Sequence, residues 1–92
     1  MKIYLHEIIL NNKKCVDIFF EIDNEKELAI ENIVLDELSK RYEIKEVDYH
    51  NYIISTDSDI ELEELEIVIN YFIKKARKAI ENLKTKTIEI DI

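Results

Sequence analysis

The chain contains no glycine and no proline among its 92 residues, and this absence limits both its turns and its chemistry. Glycine adopts positive φ at little cost and lets the backbone approach a ligand closely. Phosphate-binding loops, dinucleotide fingerprints, the nucleophile elbow of α/β-hydrolases and EF-hand loops all need glycine at fixed positions. We therefore do not expect nucleotide-dependent catalysis through any of these loops.

Length and charge predict one small acidic domain. The formal net charge is -8, from 13 basic and 21 acidic residues. A chain of this length fits a single domain, here residues 1–92, and buries only about 60–65% of its unfolded surface. The core is therefore small, and a partner protein can help to complete it.

Cysteine usage and hydropathy bear on the cellular compartment. Cys15 is the only cysteine, so the chain forms no internal disulfide and no multi-thiolate zinc site. No run approaches the roughly 18 consecutive apolar residues that span a membrane, and the N-terminus lacks the apolar region of a signal peptide. We expect a soluble cytoplasmic protein with no metal and no other cofactor.

The first half of the chain predicts a β-hairpin followed by a helix. Ile3–Leu10 and Cys15–Ile22 are rich in β-favouring residues, and the polar segment 11–14 between them begins with two asparagines, which tolerate positive φ. A helix is predicted over Glu25–Tyr42, with Asn24 as its N-cap. Its apolar stripe consists of Leu28, Ile30, Val34, Leu35, Leu38 and Tyr42.

The second half predicts two short strands, a long helix and a final strand. Ile44–Tyr49 and Tyr52–Thr56 flank a His50-Asn51 turn. A Ser-x-x-Glu capping box at Ser58 opens a helix over about Asp59–Lys84. Its core stripe consists of Leu65, Ile69, Phe72, Ala76, Ala79, Ile80 and Leu83, and a strand is predicted over Thr87–Ile92. The fold class is α+β: a two-layer sandwich of order ββαββαβ, with an antiparallel sheet and two helices on one face.

A second apolar set lies on the long helix, roughly opposite its core stripe. Its members are Ile60, Ile67 and Tyr71. A helix that lies on a sheet buries one stripe, so either a neighbouring element of the same chain covers this set or another protein does. We favour the second alternative and predict a partner interface at these three residues.

Charge on the long helix is strongly polarised. Acidic residues crowd its start and basic residues its end, among them Lys74, Lys75, Arg77 and Lys78. Complementarity to the helix macrodipole explains charges in the terminal turns, whereas these four lie further inside. They form either a solvated face or a patch that contacts RNA phosphates.

No arrangement of side chains predicts an active site. Glu63, Glu64 and Glu66 lie on an exposed helical arc, where carboxylates lack the burial that makes a general acid. His6 and His50 have no metal-ligand spacing, and His50 is expected to be exposed in its turn. We therefore expect a non-catalytic protein.

Two short motifs carry a resemblance to a known family. Thr56-Asp57-Ser58 precedes the long helix, and Val68-Ile69-Asn70-Tyr71-Phe72-Ile73 lies within it. With the hydrophobic strand, helix and hairpin before them, the stretch Val16–Leu83 resembles the small dimerising subunit of KEOPS, the complex that installs threonylcarbamoyl adenosine in tRNA. The resemblance implies a subunit without catalytic activity that dimerises through its sheet and presents helices to the catalytic subunit.

The chain also departs from the family pattern. Glu63 and Glu64 stand in the region where the family usually carries an arginine, and the spacing from Thr56 to Asn70 is longer than usual. The strands Ile3–Leu10 and Ile88–Ile92 are additions. These departures are compatible with a divergent paralogue that pairs with the standard subunit. The alternative functions are an acidic interaction module or inhibitor that mimics nucleic-acid charge, and a small enzyme.

Overall fold

The computed structural model describes residues 1–82 and 88–91. These residues form an α+β fold of order ββαββα, as predicted up to the end of the second helix. The elements are β1 (Lys2–Leu10), β2 (Lys13–Glu21), α1 (Glu25–Ser39), β3 (Glu43–Asp48), β4 (Asn51–Ser55) and α2 (Leu62–Asn82).

The four strands form one antiparallel sheet in the order β1-β2-β4-β3. The β1–β2 hairpin closes on the pair Leu10↔Lys13. Asn11 and Asn12 between them have φ of 53° and 64°, and two consecutive positive φ values are typical of the type I′ turn that matches strand twist. The turn is therefore two residues long, shorter than the predicted four, and β2 begins at Lys13.

The β3–β4 turn is shifted by one residue from its predicted position. Asp48 pairs with Asn51, so the turn consists of Tyr49 and His50, and Asn51 opens β4. His50 takes the left-handed conformation, with φ of 60°. A β-bulge between Glu46 and Asp48 shifts the register of β3, which explains the imperfect alternation in its sequence.

Helix α1 begins as predicted and ends earlier. The Asn24 side chain accepts a hydrogen bond of 2.9 Å from the Glu27 amide, and Glu27 Oε1 accepts one of 3.3 Å from the Asp23 amide. At the other end, the Lys40 amide donates to Glu37 O. This i→i−3 bond tightens the last turn, and the helix ends at Ser39 rather than at Tyr42.

Helix α2 begins at Leu62, three residues later than predicted, because the preceding segment pairs with β2. The Lys14 amide donates to Asp59 Oδ1 at 2.8 Å, and the Ile60 amide donates to Lys14 O at 3.0 Å. This non-local pairing competes with the capping box predicted at Ser58. The predicted end of the helix at Lys84 lies outside the described residues.

The predicted final strand is not found in the described part of the tail. Residues 88–91 form no strand, and the side chains of Ile88 and Ile90 are exposed. Alternation alone does not form a strand without a neighbour to receive its hydrogen bonds, and no described strand pairs with this segment. Thr87 and Ile92, the two ends of the predicted strand, lie outside the described residues.

The core contains residues of the sheet and of both helices. Val16, Ile18 and Phe20 alternate along β2 and are fully buried, as the sequence predicted. They share one cluster with residues of β4, of the helices and of the segment before α2, namely Ile54, Ile30, Val34, Leu38, Ile60, Leu65, Ile69, Phe72 and Ala76. Ala79 and Leu28, predicted in the core stripes, are exposed.

No helix in residues 1–82 and 88–91 combines the length and the hydropathy that a membrane crossing requires.

Candidate interaction surface on helix α2

Helix α2 packs on the core through one narrow stripe. Its buried residues are Leu65, Ile69, Phe72 and Ala76, spaced by four, three and four positions, which keeps them on one side of a helix of 3.6 residues per turn. The Arg41 guanidinium lies 5.6 Å from the centre of the Phe72 ring and covers the stripe next to α1. The other side of the helix is open to solvent.

We call this open side the outer face of α2. Its members are exposed and lie at helical positions on the side opposite the stripe; they are Glu63, Glu64, Ile67, Asn70, Tyr71, Lys74, Arg77, Lys78 and Glu81.

Two large apolar side chains occupy the middle of the outer face. Ile67 is 70% exposed and Tyr71 is 59% exposed. They are four positions apart and therefore neighbours along the helix surface. The Lys75 ammonium lies 5.9 Å from the centre of the Tyr71 ring, within the range of a cation–π contact. The structure thus leaves both side chains uncovered within the described part of the chain.

Ile60, the third residue predicted for the partner interface, does not belong to this face. It precedes α2, is only 4% exposed and packs in the core cluster. The hydrogen bond from its amide to Lys14 O holds it beside the start of β2. The prediction was wrong for Ile60 because it extended helical geometry back through a residue that lies outside the helix.

The charges of α2 remain polarised in the structure. Glu63 and Glu64 lie in the first turn, and all four basic residues of the predicted RNA patch, Lys74, Lys75, Arg77 and Lys78, are exposed. Lys75 lies toward the side of the helix, whereas the other three lie on the outer face. Exposure makes these groups available for phosphates, and contact with RNA stays a prediction.

A buried polar cluster that the sequence did not predict joins α1 to the β3–β4 hairpin. Glu31 is only 1% exposed. His50 Nδ1 lies 2.8 Å from its Oε1 and 2.7 Å from its Oε2, and the Tyr52 hydroxyl donates to Oε1 at 3.2 Å. The prediction that His50 is exposed was wrong, because its side chain turns inward to this carboxylate.

The cluster changes the chemistry of Tyr52. Burial, and then the neighbouring Glu31 carboxylate, raise the pKa of Tyr52 from 10.0 to about 12. A phenol held in its neutral form donates a hydrogen bond and does not act as a base near neutral pH. The hydrogen bond from the Tyr52 hydroxyl to Glu31 joins β4 to α1.

One signal in the sequence could have revealed this cluster. Glu31 lies three positions before Val34 and seven before Leu38, and this spacing places it on the buried stripe of α1. A carboxylate on a buried stripe needs a hydrogen-bond partner. The identity of the partner, His50, depends on the tertiary fold and could not be read from local sequence.

The face of the sheet opposite the buried side chains of β2 carries aromatic and polar side chains around a shallow cavity of about 400 Å³. Tyr4 and Phe19 lie there with ring centres 6.1 Å apart. The Asn51 amide donates to the Asp17 carboxylate and, at 3.0 Å, to Ile18 O. His6 lines the same cavity.

The remaining candidate for reactivity is buried. Cys15 is 3% exposed, and its Sγ lies 3.8 Å from Lys13 O. Within residues 1–82 and 88–91, no three His, Cys, Asp or Glu side chains come together as a set that could hold a metal ion. The outer face of α2 is therefore the strongest functional candidate in the described part of the chain.

Comparison of the chain with models of known protein families, with curated proteins and with solved structures gives no match.

Proposed function

We propose that the chain is a non-catalytic assembly and dimerisation subunit of a KEOPS-like tRNA-modification complex in the cytoplasm. In this proposal the outer face of α2 is presented to a partner subunit. The observation that carries the proposal is the exposure of Ile67 and Tyr71 in the middle of an ordered helix. The motifs Thr56-Asp57-Ser58 and Val68–Ile73 support the choice of complex through the resemblance they carry.

The physical reason concerns how helices are recognised. An amphipathic helix binds a partner through anchors at i and i+4, and a tyrosine among them supplies a large contact area at low conformational entropy cost. Ile67 and Tyr71 have this spacing. Burial of apolar surface contributes about 25 cal/mol per Å², so covering both side chains favours association. The charged residues before Ile67 and after Tyr71 on α2 then determine the orientation in which the partner binds.

The proposal takes the domain as a two-layer sandwich with both helices on one face of the sheet. The single core cluster, which contains residues of β2, β4, α1 and α2, supports this arrangement. It leaves the outer face of α2 on the side of the molecule away from the sheet, where a partner helix has access.

Contact with tRNA through the basic half of α2 is a secondary part of the proposal. The logarithm of the binding constant for a nucleic acid falls linearly with the logarithm of the salt concentration, and each phosphate contact makes this slope steeper. Replacing Lys74 and Lys78 with Gln should therefore weaken tRNA binding and reduce its salt dependence. Unchanged binding would restrict the function of the helix to protein contact.

The experiment that tests the proposal is co-purification with the catalytic subunit of KEOPS. The double variant Ile67→Asp/Tyr71→Asp should lose the partner while the circular dichroism of the chain stays native. The matched control is Ile9→Asp/Tyr49→Asp, which removes the same residue types from other exposed positions (66% and 78% exposed) and should retain the partner.

Two outcomes would refute the proposal. Capture of the catalytic subunit by the Ile67→Asp/Tyr71→Asp variant would show that another surface makes the contact. Failure of the unaltered chain to bind any KEOPS subunit, together with salt-sensitive binding to a basic protein, would instead support the acidic interaction module.

A further inference from the structure

We infer that the free edge of β1 accepts an extended segment of a partner protein as an added strand of the sheet. The segment has two apolar side chains and one basic side chain at alternate positions. The inference goes beyond the proposed function, which concerns the outer face of α2, and does not depend on it. It is carried by the open backbone of β1 and by the groove that lies beside this strand.

Strand β1 lies at the edge of the sheet, next to β2 alone among the described strands. The pair Leu10↔Lys13 closes the hairpin, and in a type I′ hairpin the closing pair exchanges both of its hydrogen bonds. Bonded and non-bonded pairs then alternate along the ladder. The residues of the non-bonded pairs direct their amides and carbonyls away from β2; they are Ile3, Leu5, Glu7 and Ile9.

These outward backbone groups have no partner in residues 1–82 and 88–91. No hydrogen bond there joins the main chain of the four residues to a turn, a loop or a side chain. The strand is nine residues long and pairs with β2 without a register shift. A long, regular edge of this kind is a template for another strand, and natural proteins usually cover it.

A groove beside this edge can receive the side chains of an added strand. It lies between β1 and α2 and has a volume of about 330 Å³. Apolar side chains make up most of its lining, namely Ile3, Leu5, Leu62, Ile69 and Ile73. Because every second side chain of a strand points to the same face, a strand paired with β1 places alternate side chains over this groove. Two apolar side chains therefore fit opposite Ile3 and Leu5.

The groove is separate from the surface that the proposed function assigns to a partner. At about 100° per residue, Ile73 lies about 120° around the helix axis from Ile67 and about 160° from Tyr71. Asn70 lines the groove and marks its border with the outer face. A strand bound at β1 therefore leaves Ile67 and Tyr71 accessible.

Charge identifies the kind of segment that fits. Glu66 is the only charged side chain that lines the groove, and Glu7 lies on the same face of β1 as Leu5, two positions further on. Both glutamates are exposed, and no ion pair in the described part of the chain includes either of them. A basic side chain two positions beyond the apolar pair would lie beside these carboxylates and form charge-assisted hydrogen bonds.

The two ends of the groove differ in charge. The segment before α2 is bonded to Lys14, which pairs with Ile9 near the hairpin turn, so Glu66 lies nearer to the turn than Ile73 does. Arg77 is exposed one helical turn beyond Ile73 and opposes a basic residue at that other end. The basic residue of the bound segment therefore lies toward the hairpin turn.

The same charges disfavour segments of this chain as the occupant. Ile88 and Ile90 of the tail are apolar, but Glu89 and Asp91 next to them would bring negative charge to an acidic edge. Both isoleucines are exposed, so they do not fill the groove. A second copy would bring a formal net charge of -8 to the same edge, and like charges oppose association. A basic segment of another protein is the complementary occupant.

Selection from a random-peptide display library tests the inference without assuming one sequence. The unaltered chain should select peptides with two apolar residues and one lysine or arginine at alternate positions. Binding of a synthetic peptide with the selected sequence, measured by fluorescence polarisation, should weaken by about tenfold or more in Glu66→Lys. The matched control Glu64→Lys makes the same charge change on the outer face and should bind the peptide as the unaltered chain does.

Pairing through the main chain is tested at position 7. The Glu7 amide points away from β2, so Glu7→Pro removes a donor to the added strand without removing a bond of the hairpin. This variant should lose the peptide, whereas Glu7→Gln removes only the charge and should bind within about tenfold of the unaltered chain. Circular dichroism checks that both variants fold. In the unaltered chain, saturating peptide should slow hydrogen exchange of the Ile3, Leu5 and Glu7 amides by about tenfold or more.

Three results would overturn the inference directly. They are a selection that gives no peptide with the alternating apolar and basic pattern, equal binding of the selected peptide to Glu66→Lys and the unaltered chain, and unchanged exchange of the β1 amides in the presence of the peptide. The last result stays informative even if Glu7→Pro does not fold.

Two further results would assign the edge to this chain itself and would also overturn the inference. Peptide binding that tightens by more than about tenfold in Ile88→Asp/Ile90→Asp would show that the tail competes for the groove. A dimer of the unaltered chain that Glu7→Pro converts to a monomer in sedimentation equilibrium would show that a second copy occupies the edge. The proposed function is tested separately, because Ile67→Asp/Tyr71→Asp alters neither the edge nor the groove.

Discussion

Replacing Glu31 with Gln and His50 with Asn, singly and together, measures the free energy that ties α1 to the β3–β4 turn. Gln keeps the size of the buried side chain and an oxygen for the Tyr52 hydroxyl, while it removes the charge. Asn at position 50 tolerates the left-handed backbone, where φ is 60°. Any decrease in the free energy of unfolding therefore comes from the loss of the His50 side chain and not from strain in the turn.

The magnitude follows from the geometry of the pair. His50 Nδ1 lies within 2.8 Å of Glu31, and the two side chains are 16% and 2% exposed. A hydrogen bond to a charged group contributes about 1.5–3 kcal/mol, and this pair is too buried to be weakened by solvent as a surface ion pair is. We therefore expect a coupling energy of about 1.5–3 kcal/mol in the double-mutant cycle.

Urea unfolding followed by circular dichroism gives the four free energies of the cycle at one fixed pH. With a slope of about 1–2 kcal/mol per molar urea, each single variant should lower the midpoint by about 1 M or more. The coupling should persist in high salt, because screening acts mainly on exposed charges. A coupling energy below about 0.5 kcal/mol, the error of additivity for independent sites, would refute the structural role assigned to the pair.

Three further predictions concern the same elements. Tyr52 has a pKa of about 12 in the folded chain against 10.0 as its ordinary value; the folded state therefore keeps a proton that the unfolded chain loses, and this contribution to stability is complete below pH 10 and declines between about pH 10 and 12. Tyr52→Phe should remove that decline in urea titrations at several pH values, and an identical pH profile would contradict the assignment. Asn12→Gly should raise stability by about 0.5–1 kcal/mol in a thermal melt, because glycine accepts the φ of 64° at lower cost; a lower melting temperature would argue against the type I′ turn. Ile60→Asp should cost about 3 kcal/mol or more through a buried charge, whereas Ile67→Asp should change the unfolding free energy by about 0.5 kcal/mol or less, and equal losses would contradict their assigned burial.

Elements defined by local interactions were predicted closely from the sequence. The start of α1 depends on Asn24 and Glu27, which lie three positions apart and contact each other directly. The inward face of β2 follows from the strict alternation of Val16, Ile18 and Phe20, which fixes the face because a strand has a period of two. Both signals are complete within a few residues of sequence.

Features that depend on distant contacts were missed. The start of α2 is set by the pairing of Asp59 and Ile60 with Lys14, more than forty positions earlier, and a capping box contains no information about such a partner. The inward orientation of His50 depends on Glu31, nineteen positions away. The final strand was predicted from alternation alone, and alternation does not identify a neighbouring strand.

For the candidate site, the sequence identified two of the exposed apolar residues but not the residue at which α2 begins. Ile67 and Tyr71 lie on the outer face of α2, because the helix continues regularly through both. Ile60 was grouped with them by angle, although the helix does not extend to it. Positions around a helix axis can be compared only for residues inside the helix. Because α2 begins at Leu62, the comparison holds for Ile67 and Tyr71 and fails for Ile60.

The left-handed residue of the β3–β4 turn restricts how position 50 can vary in evolution. A glycine there would satisfy the backbone but could not reach Glu31, and most other residues would reach inward only at the cost of an unfavourable φ. Two independent requirements thus act on one position and leave few acceptable amino acids. Among descendants of this chain, substitutions at positions 31 and 50 should therefore occur together. Where the buried carboxylate of Glu31 is lost, we expect His50 to be replaced by asparagine or glycine.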